Sequence, residues 1–210
     1  MSSENKKTNF DLKASSWDKK PLRQILAEKA ASAIINNIQL TGKIKALEFG
    51  CGTGLVTLSL APKLKSILAV DSSKAMLNEL NNKIIMNSIK NIKTMFLDIE
   101  NDKNQIKEKF NLIYSAMTLH HIQNIEVLIT SFLKMLSPKG ILALIDLEKE
   151  DGTFHNDNTG VMHFGFEKTY IKNLLSENNF KNITYQIIHT IKKEDSEKDY
   201  PVFLATGSKA

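Results

Sequence analysis

"LEFGCGTG" (47–54) is the stretch that decides the fold. An apolar run carrying one acid, Glu48, ends in three glycines on alternate positions, Gly50, Gly52 and Gly54. The chain has only nine glycines, so three in five residues mark a point where the backbone turns tightly or must let something bulky approach. Residues 44–49 ("IKALEF") read as a strand and 54–64 as a helix. A strand-to-helix turn of this kind offers backbone N–H groups to a polar or anionic ligand.

Working outward, the same alternation continues on the C-terminal side. Strands are predicted over 66–70, 92–97, 110–115 and 140–146. Helices are predicted over 73–88 and 125–136, with a short polar helix around 103–108. Ile-, Leu- and Val-rich runs separated by helices indicate a parallel sheet covered on both faces. Further on come a helix over 167–178 and strands over 183–188 and 200–207. A charged turn joins these two strands, so they pair antiparallel. Upstream of the glycines, apolar positions from Leu22 to Ile38 recur at helical spacing, with Pro21 suited to a first turn. Residues 1–16 are polar and read as a flexible N-terminus; 17–210 read as one domain.

Composition narrows the function classes. The 210 residues are 42% hydrophobic and 24% charged, a globular balance with enough apolar material for a core. The one cysteine, Cys51, excludes an internal disulfide framework and a Cys-rich zinc site, and fits a cytoplasmic setting. No apolar run approaches the roughly 18 residues that span a bilayer, so no membrane role is expected. The net charge of +5 comes from lysines scattered along the chain, which reads as a solvated surface; nucleic acid is not expected as a partner.

The ligand of the glycine loop can be argued by spacing. A dinucleotide fingerprint is G-x-G-x-x-G, whereas this loop is G-x-G-x-G with Leu55 in the third fingerprint position. It also lacks the Gly-Lys-Ser/Thr of a P-loop. A nucleoside ligand is still indicated. Asp71 ends the second strand about 20 residues after Gly50, where a carboxylate can accept both hydroxyls of a ribose. Asp98 ends the third strand in "LDIE" and could accept from an adenine amine, with Ile99 packing on the ring; its other reading is a helix N-cap.

The order "LEFGCGTG", "AVD", "LDIE", "FNLIYSAMTLHHI" resembles the class I S-adenosylmethionine-dependent methyltransferases, of the small bacterial type that acts on small molecules. The resemblance runs over about residues 17–207. It implies an α/β, Rossmann-like, doubly wound sheet of seven strands, mostly parallel with an antiparallel last strand, after an N-terminal helix. It implies S-adenosylmethionine as cofactor and S-adenosylhomocysteine (SAH) as product. It assigns Gly50, Gly52 and Gly54 to the methionine part, Asp71 to the ribose, Asp98 and Ile99 to the adenine, and Ser115 with Ala116 and Met117 to the methionine and methyl side, and it counts Glu48 among the cofactor-binding residues.

Methyl transfer from a sulfonium is a direct displacement, so a base is needed only where the acceptor carries a proton that must leave. No motif fixes one. Of the pair His120 and His121, one side chain is expected to pack while the other faces the cleft. The segment 147–166 is long, leaves the ligand-binding edge and carries Phe154, His155, His163, Phe164 and Phe166. It reads as a lid over a substrate pocket, or else as a loop whose aromatics fill a gap. His121, His155 and His163 are therefore the candidate catalytic residues. No H-x₃-H or H-E-x-x-H spacing supports a metal site. The turn after the fourth strand reads "SAMT", not the Asp/Asn-Pro-Pro-aromatic turn of nucleobase-amine methylation. A small-molecule acceptor is the leading expectation; an RNA or protein methyltransferase, or a cofactor-binding protein without transfer, are the alternatives.

Overall fold

The computed structural model describes residues 10–98, 106–193 and 198–210. Among them lie seven strands: β1 (Lys45–Phe49), β2 (Ser66–Asp71), β3 (Ile92–Phe96), β4 (Phe110–Ala116), β5 (Leu136–Leu147), β6 (Lys181–Lys192) and β7 (Asp199–Ser208). They form one sheet in the order β3-β2-β1-β4-β5-β7-β6. Neighbours from β3 through β5 are parallel. β7 runs antiparallel between β5 and β6. This is the seven-stranded doubly wound sheet expected from the sequence, with the last strand reversed.

The helices are α1 (Pro21–Asn37), α2 (Leu55–Leu60), α3 (Lys74–Met86), α4 (Ile125–Met135) and α5 (Lys168–Glu177). α3 and α4 begin where the sequence supplies caps: Ser73 Oγ accepts from Met76 N (3.1 Å) and Asn124 Oδ1 from Val127 N (3.0 Å). α2 is shorter than the predicted 54–64. Pro62 removes an N–H, and the chain tightens into a 3₁₀ turn at Ala61–Lys63.

The continuous apolar strands follow from burial on both faces. Successive residues of a strand go to opposite sides. Ala46, Leu112, Ala143 and Leu204 join one core with Ile34 of α1, Leu60 of α2 and Leu80 of α3. Their neighbours Leu47, Ile113, Leu142 and Phe203 join the other, with Phe132 of α4 and Leu175 of α5.

Three segments differ from the sequence reading. Residues 10–13 are helical and run into a 3₁₀ turn at Ala14–Lys19, so order reaches well into the polar start. The polar helix placed over 103–108 falls mostly outside the described residues, and 106–108 are not helical. The 147–166 segment is pinned at both ends: Phe166 N donates to Leu147 O (2.9 Å), Lys149 N to Phe166 O (3.1 Å) and Glu150 N to Phe164 O (2.9 Å).

Candidate active site

In this strand order the chain leaves β1 for β2 on one side, while β4 pairs with β1 on the other. The crevice beyond the carboxyl ends of these strands is where doubly wound sheets bind ligands. A cavity lies there, lined by Glu48 and the 49–53 loop, by Asp71, Ser72 and Met76, and by Leu97, Asp98, Ala116 and Met117.

The glycine loop is shaped for it. Gly50 N and Cys51 N both donate to Val70 O, at 2.9 and 3.0 Å, which anchors the turn to β2. Gly52 has φ +53°, and a Cβ there would meet nothing within 4 Å, so its open side is the cavity itself. At Gly50 (φ +73°) a Cβ would lie 2.3 Å from the Thr118 side chain, so this glycine admits a close neighbour. Gly54 also has a positive φ and precedes α2.

Asp71 joins two loops. Its Oδ2 accepts from Gly52 N (2.7 Å) and its Oδ1 from Ser73 N (2.8 Å). Burial raises its pKa, and these backbone donors only partly offset that. Glu48 is fully buried beneath the loop and accepts from Thr57 Oγ1 and from Tyr114 Oη (2.9 Å). Burial lifts its pKa to about 7, against the pull of those two hydroxyls.

Asp98 is buried and lines the cavity beside Leu97. Ile99 lies outside the described residues. Ser115 does not line the cavity: it is fully buried and donates to Phe49 O (3.0 Å), because side chains alternate across β4. Ala116 and Met117 take that place, and Met117 holds a strained φ of +54° at the strand end.

The histidines separate by role. His121 lines the cavity. Its Nδ1 is 2.8 Å from Gly160 O; a carbonyl only accepts, so Nδ1 carries the proton and Nε2 the lone pair. Burial, helped by His120, lowers its pKa to about 3, so it is neutral at working pH. His120 packs behind it, ring centroids 4.1 Å apart, and bonds Asp146 through Nδ1 (2.7 Å). Burial alone would raise Asp146, but His120 and backbone N–H donors reverse that, and its pKa is lowered.

His155 and His163 stand apart from His121. Neither lines the cavity. His155 stacks behind His120 (5.0 Å), and His163 Nε2 donates to Ile122 O (2.8 Å) beside Phe166. Phe154 and Phe166 are buried in the two cores. The 147–166 segment thus backs the site. Met162 N and His163 N both donate to His120 O, and Gly160 O fixes His121. Among the described residues no group of three or more His, Cys, Asp or Glu is arranged to hold a metal.

The wall opposite the loop comes from residues the sequence reading passed over: Phe10, Trp17, Arg23, Leu26 and Ala27. Phe10 packs on Trp17 (5.7 Å) and edge-on against His121 (5.1 Å). Asp11 accepts from Ser73 Oγ and from Ala75 N (3.2 Å). Asp18 accepts from Thr53 Oγ1 (2.5 Å) and pairs with Lys83. The available signal was two aromatics, Phe10 and Trp17, in a polar stretch, which are costly to leave in water.

A family profile described as "Methyltransferase domain" matches residues 21–186. The DhpI–SAH complex superposes with a TM-score of 0.75 at 16% identity, over 98% of this chain and 95% of that one. The chain belongs to the class I S-adenosylmethionine-dependent methyltransferases. An uncharacterised methyltransferase of Schizosaccharomyces pombe is 30% identical over 162 residues, 70% of this chain and 57% of that protein. A malonyl-(acyl-carrier protein) O-methyltransferase of Bacillus cereus is 26% identical over 185 residues, 82% of this chain and 62% of that protein. The chain therefore spans about three fifths of the length of these curated relatives.

The donor set fits the family's cofactor. Three acids, Glu48, Asp71 and Asp98, line the cavity together with the apolar side chains of Met76 and Leu97, a lining suited to a cationic sulfonium, a ribose and a base. The uncrowded face of Gly52 leaves the loop backbone open to a bound group.

Proposed function

We propose that this chain transfers a methyl group from S-adenosylmethionine to a small-molecule acceptor bound between the glycine loop and the N-terminal segment. The observation that carries this reading is the wall facing the loop: Phe10, Trp17, Leu26, Ala27 and Ile122 give the acidic cavity an apolar side. An apolar pocket with a few placed polar groups suits a small ligand. The Bacillus cereus relative is named as an O-methyltransferase of malonyl-(acyl-carrier protein), which supports a small acid group as the methyl acceptor, in that relative one carried on a protein.

S-adenosylmethionine supplies an electrophilic methyl on a cationic sulfur. The chain's own residues do the rest. Gly50, Gly52 and Gly54 let the loop backbone run beneath the methionine part, Asp71 takes the ribose hydroxyls and Asp98 meets the base. Phe10 and Trp17 exclude water that would compete with the acceptor. His121 is the acceptor-side polar group: neutral, with its tautomer set by Gly160, its Nε2 is a hydrogen-bond acceptor that can orient an acceptor hydroxyl or amine.

The test uses trideuteromethyl S-adenosylmethionine with the small-molecule, RNA and protein fractions of a cell extract. The label is expected in the small-molecule fraction. Asp71→Ala should weaken cofactor binding by about 1.5–3 kcal/mol, through lost charge-assisted hydrogen bonds, and reduce the labelling. Label confined to RNA or protein would replace the small-molecule reading.

A further inference from the structure

Asp146 is a buried acid that the cavity does not use. It sits near the carboxyl end of β5, fully buried, and does not line the cavity. Among the described residues no lysine or arginine pairs with it. Its donors are His120 Nδ1 (2.7 Å) and Leu147 N (2.8 Å) at Oδ1 and His120 N (3.3 Å) at Oδ2. Two of these three come from one residue, from its ring and from its backbone. Taking an ionised carboxylate out of water is costly, and a well-packed apolar side chain in such a place is often as stable or more so. Stability alone therefore does not account for the acid. What it holds is His120.

His120 is the middle residue of a 3₁₀ turn, Leu119–His121. A carboxylate only accepts, so Nδ1 of His120 carries the proton, which sets the tautomer and the plane of the ring. The carbonyl of His120 accepts from Met162 N (2.8 Å) and His163 N (3.1 Å). Its ring packs on that of His121, centroids 4.1 Å apart. His121 is the polar residue of this turn that reaches the cavity. Gly160 O holds its Nδ1 and Phe10 meets its ring edge-on (5.1 Å).

We propose that Asp146 is a positioning residue: through His120 it fixes the turn and ring of His121 toward the acceptor, touching neither acceptor nor cofactor. The proposal rests on His121 as the acceptor-side group in the reading above.

The test uses two variants, Asp146→Asn and His120→Phe. The NH₂ side of the amide cannot accept from His120 N, and phenylalanine keeps a ring beside His121 but has no N–H for Asp146. The first readout is the rate at which label from trideuteromethyl S-adenosylmethionine enters the small-molecule fraction of a cell extract, beside SAH affinity by calorimetry. The second is the long-range proton–nitrogen NMR spectrum of the histidine rings. Both variants should label about 10-fold more slowly, with SAH affinity unchanged. Wild-type labelling in a folded variant would overturn the proposal. So would a loss of SAH affinity in step with labelling, which marks a purely structural role. Circular dichroism checks folding. Should neither variant fold, the wild-type spectrum decides: one Nδ1–H tautomer at both His120 and His121 supports the proposal, and averaged tautomers at His121 or a proton on His120 Nε2 alone overturn it. Should the wild type put no label in the small-molecule fraction, the small-molecule reading fails and the spectra decide. A mixture of His121 tautomers in the variants would then leave Asp146 its role, and an unchanged single tautomer would remove it.

Discussion

Glu48 shows how one residue carries both fold and chemistry. It is the acid in the apolar run before the glycines, buried against Thr57 and Tyr114 while lining the cavity. Its folded pKa of about 7 lies above the ordinary carboxylate value, so the folded state holds this proton more tightly than the unfolded chain. The stabilising contribution is complete below about pH 4.5 and is lost as pH rises through about 7. The ligand-free protein should therefore show a falling Tm over that range, and Glu48→Gln should flatten it. A cationic ligand reverses the preference, since it favours the ionised carboxylate. Affinity for S-adenosylmethionine should rise between about pH 6 and pH 8 in the wild type and change little in Glu48→Gln. A calorimetric series across pH checks this; parallel profiles would remove Glu48 from the cation's surroundings.

His121 belongs to the same scale. Its neutral imidazole lines the cavity, whereas His163 is occupied by Ile122 O. His121→Ala is expected to lower turnover by about 10-fold, through loss of one hydrogen bond that orients the acceptor, leaving SAH affinity near wild type. His163→Ala should change stability by about 1 kcal/mol and leave turnover close to wild type. Steady-state kinetics beside SAH titrations separate the two. Equal losses in turnover would contradict the assignment.

At the scale of elements, the N-terminal segment forms one wall of the cavity. Phe10, Trp17 and the Asp11 and Asp18 bonds fasten residues 10–19 to the glycine loop and to α3. The 147–166 segment is held instead to the sheet: Tyr185 Oη donates to Glu148, and Lys193 Nζ donates to Thr153 O (3.0 Å). Limited proteolysis should slow within residues 10–20 when SAH binds and keep its rate within 147–166. Asp18→Ala should weaken that protection, since it removes the acceptor of Thr53 Oγ1 and the ion-pair partner of Lys83. Protection confined to 147–166 would return the lid to that segment.

Over the whole molecule, local signals carried far. The strand–glycine–helix turn, Asp71 and Asp98 follow from residues close in sequence, and the alternation of strands with helices defined the sheet. What stayed hidden depends on long-range contacts. Helical spacing in α1 could not tell that Arg23, Leu26 and Ala27 border the cavity. Nor could a polar start announce that Asp11 would reach Ser73 and Asp18 would reach Thr53. The 147–166 segment was read from the edge it leaves. Its path was decided by bonds between its own ends and by the burial of Phe154 and Phe166. Ser115, one step of strand alternation from Ala116, is buried and bonded to Phe49 O, a contact between strands far apart in sequence.

The central claim is that this cavity is built for the sulfonium cofactor and not for a dinucleotide. Calorimetric titration of the wild-type chain with SAH and, separately, with NAD tests it most directly. One SAH per chain with no heat from NAD is the predicted result; saturable NAD binding with none by SAH would contradict the account.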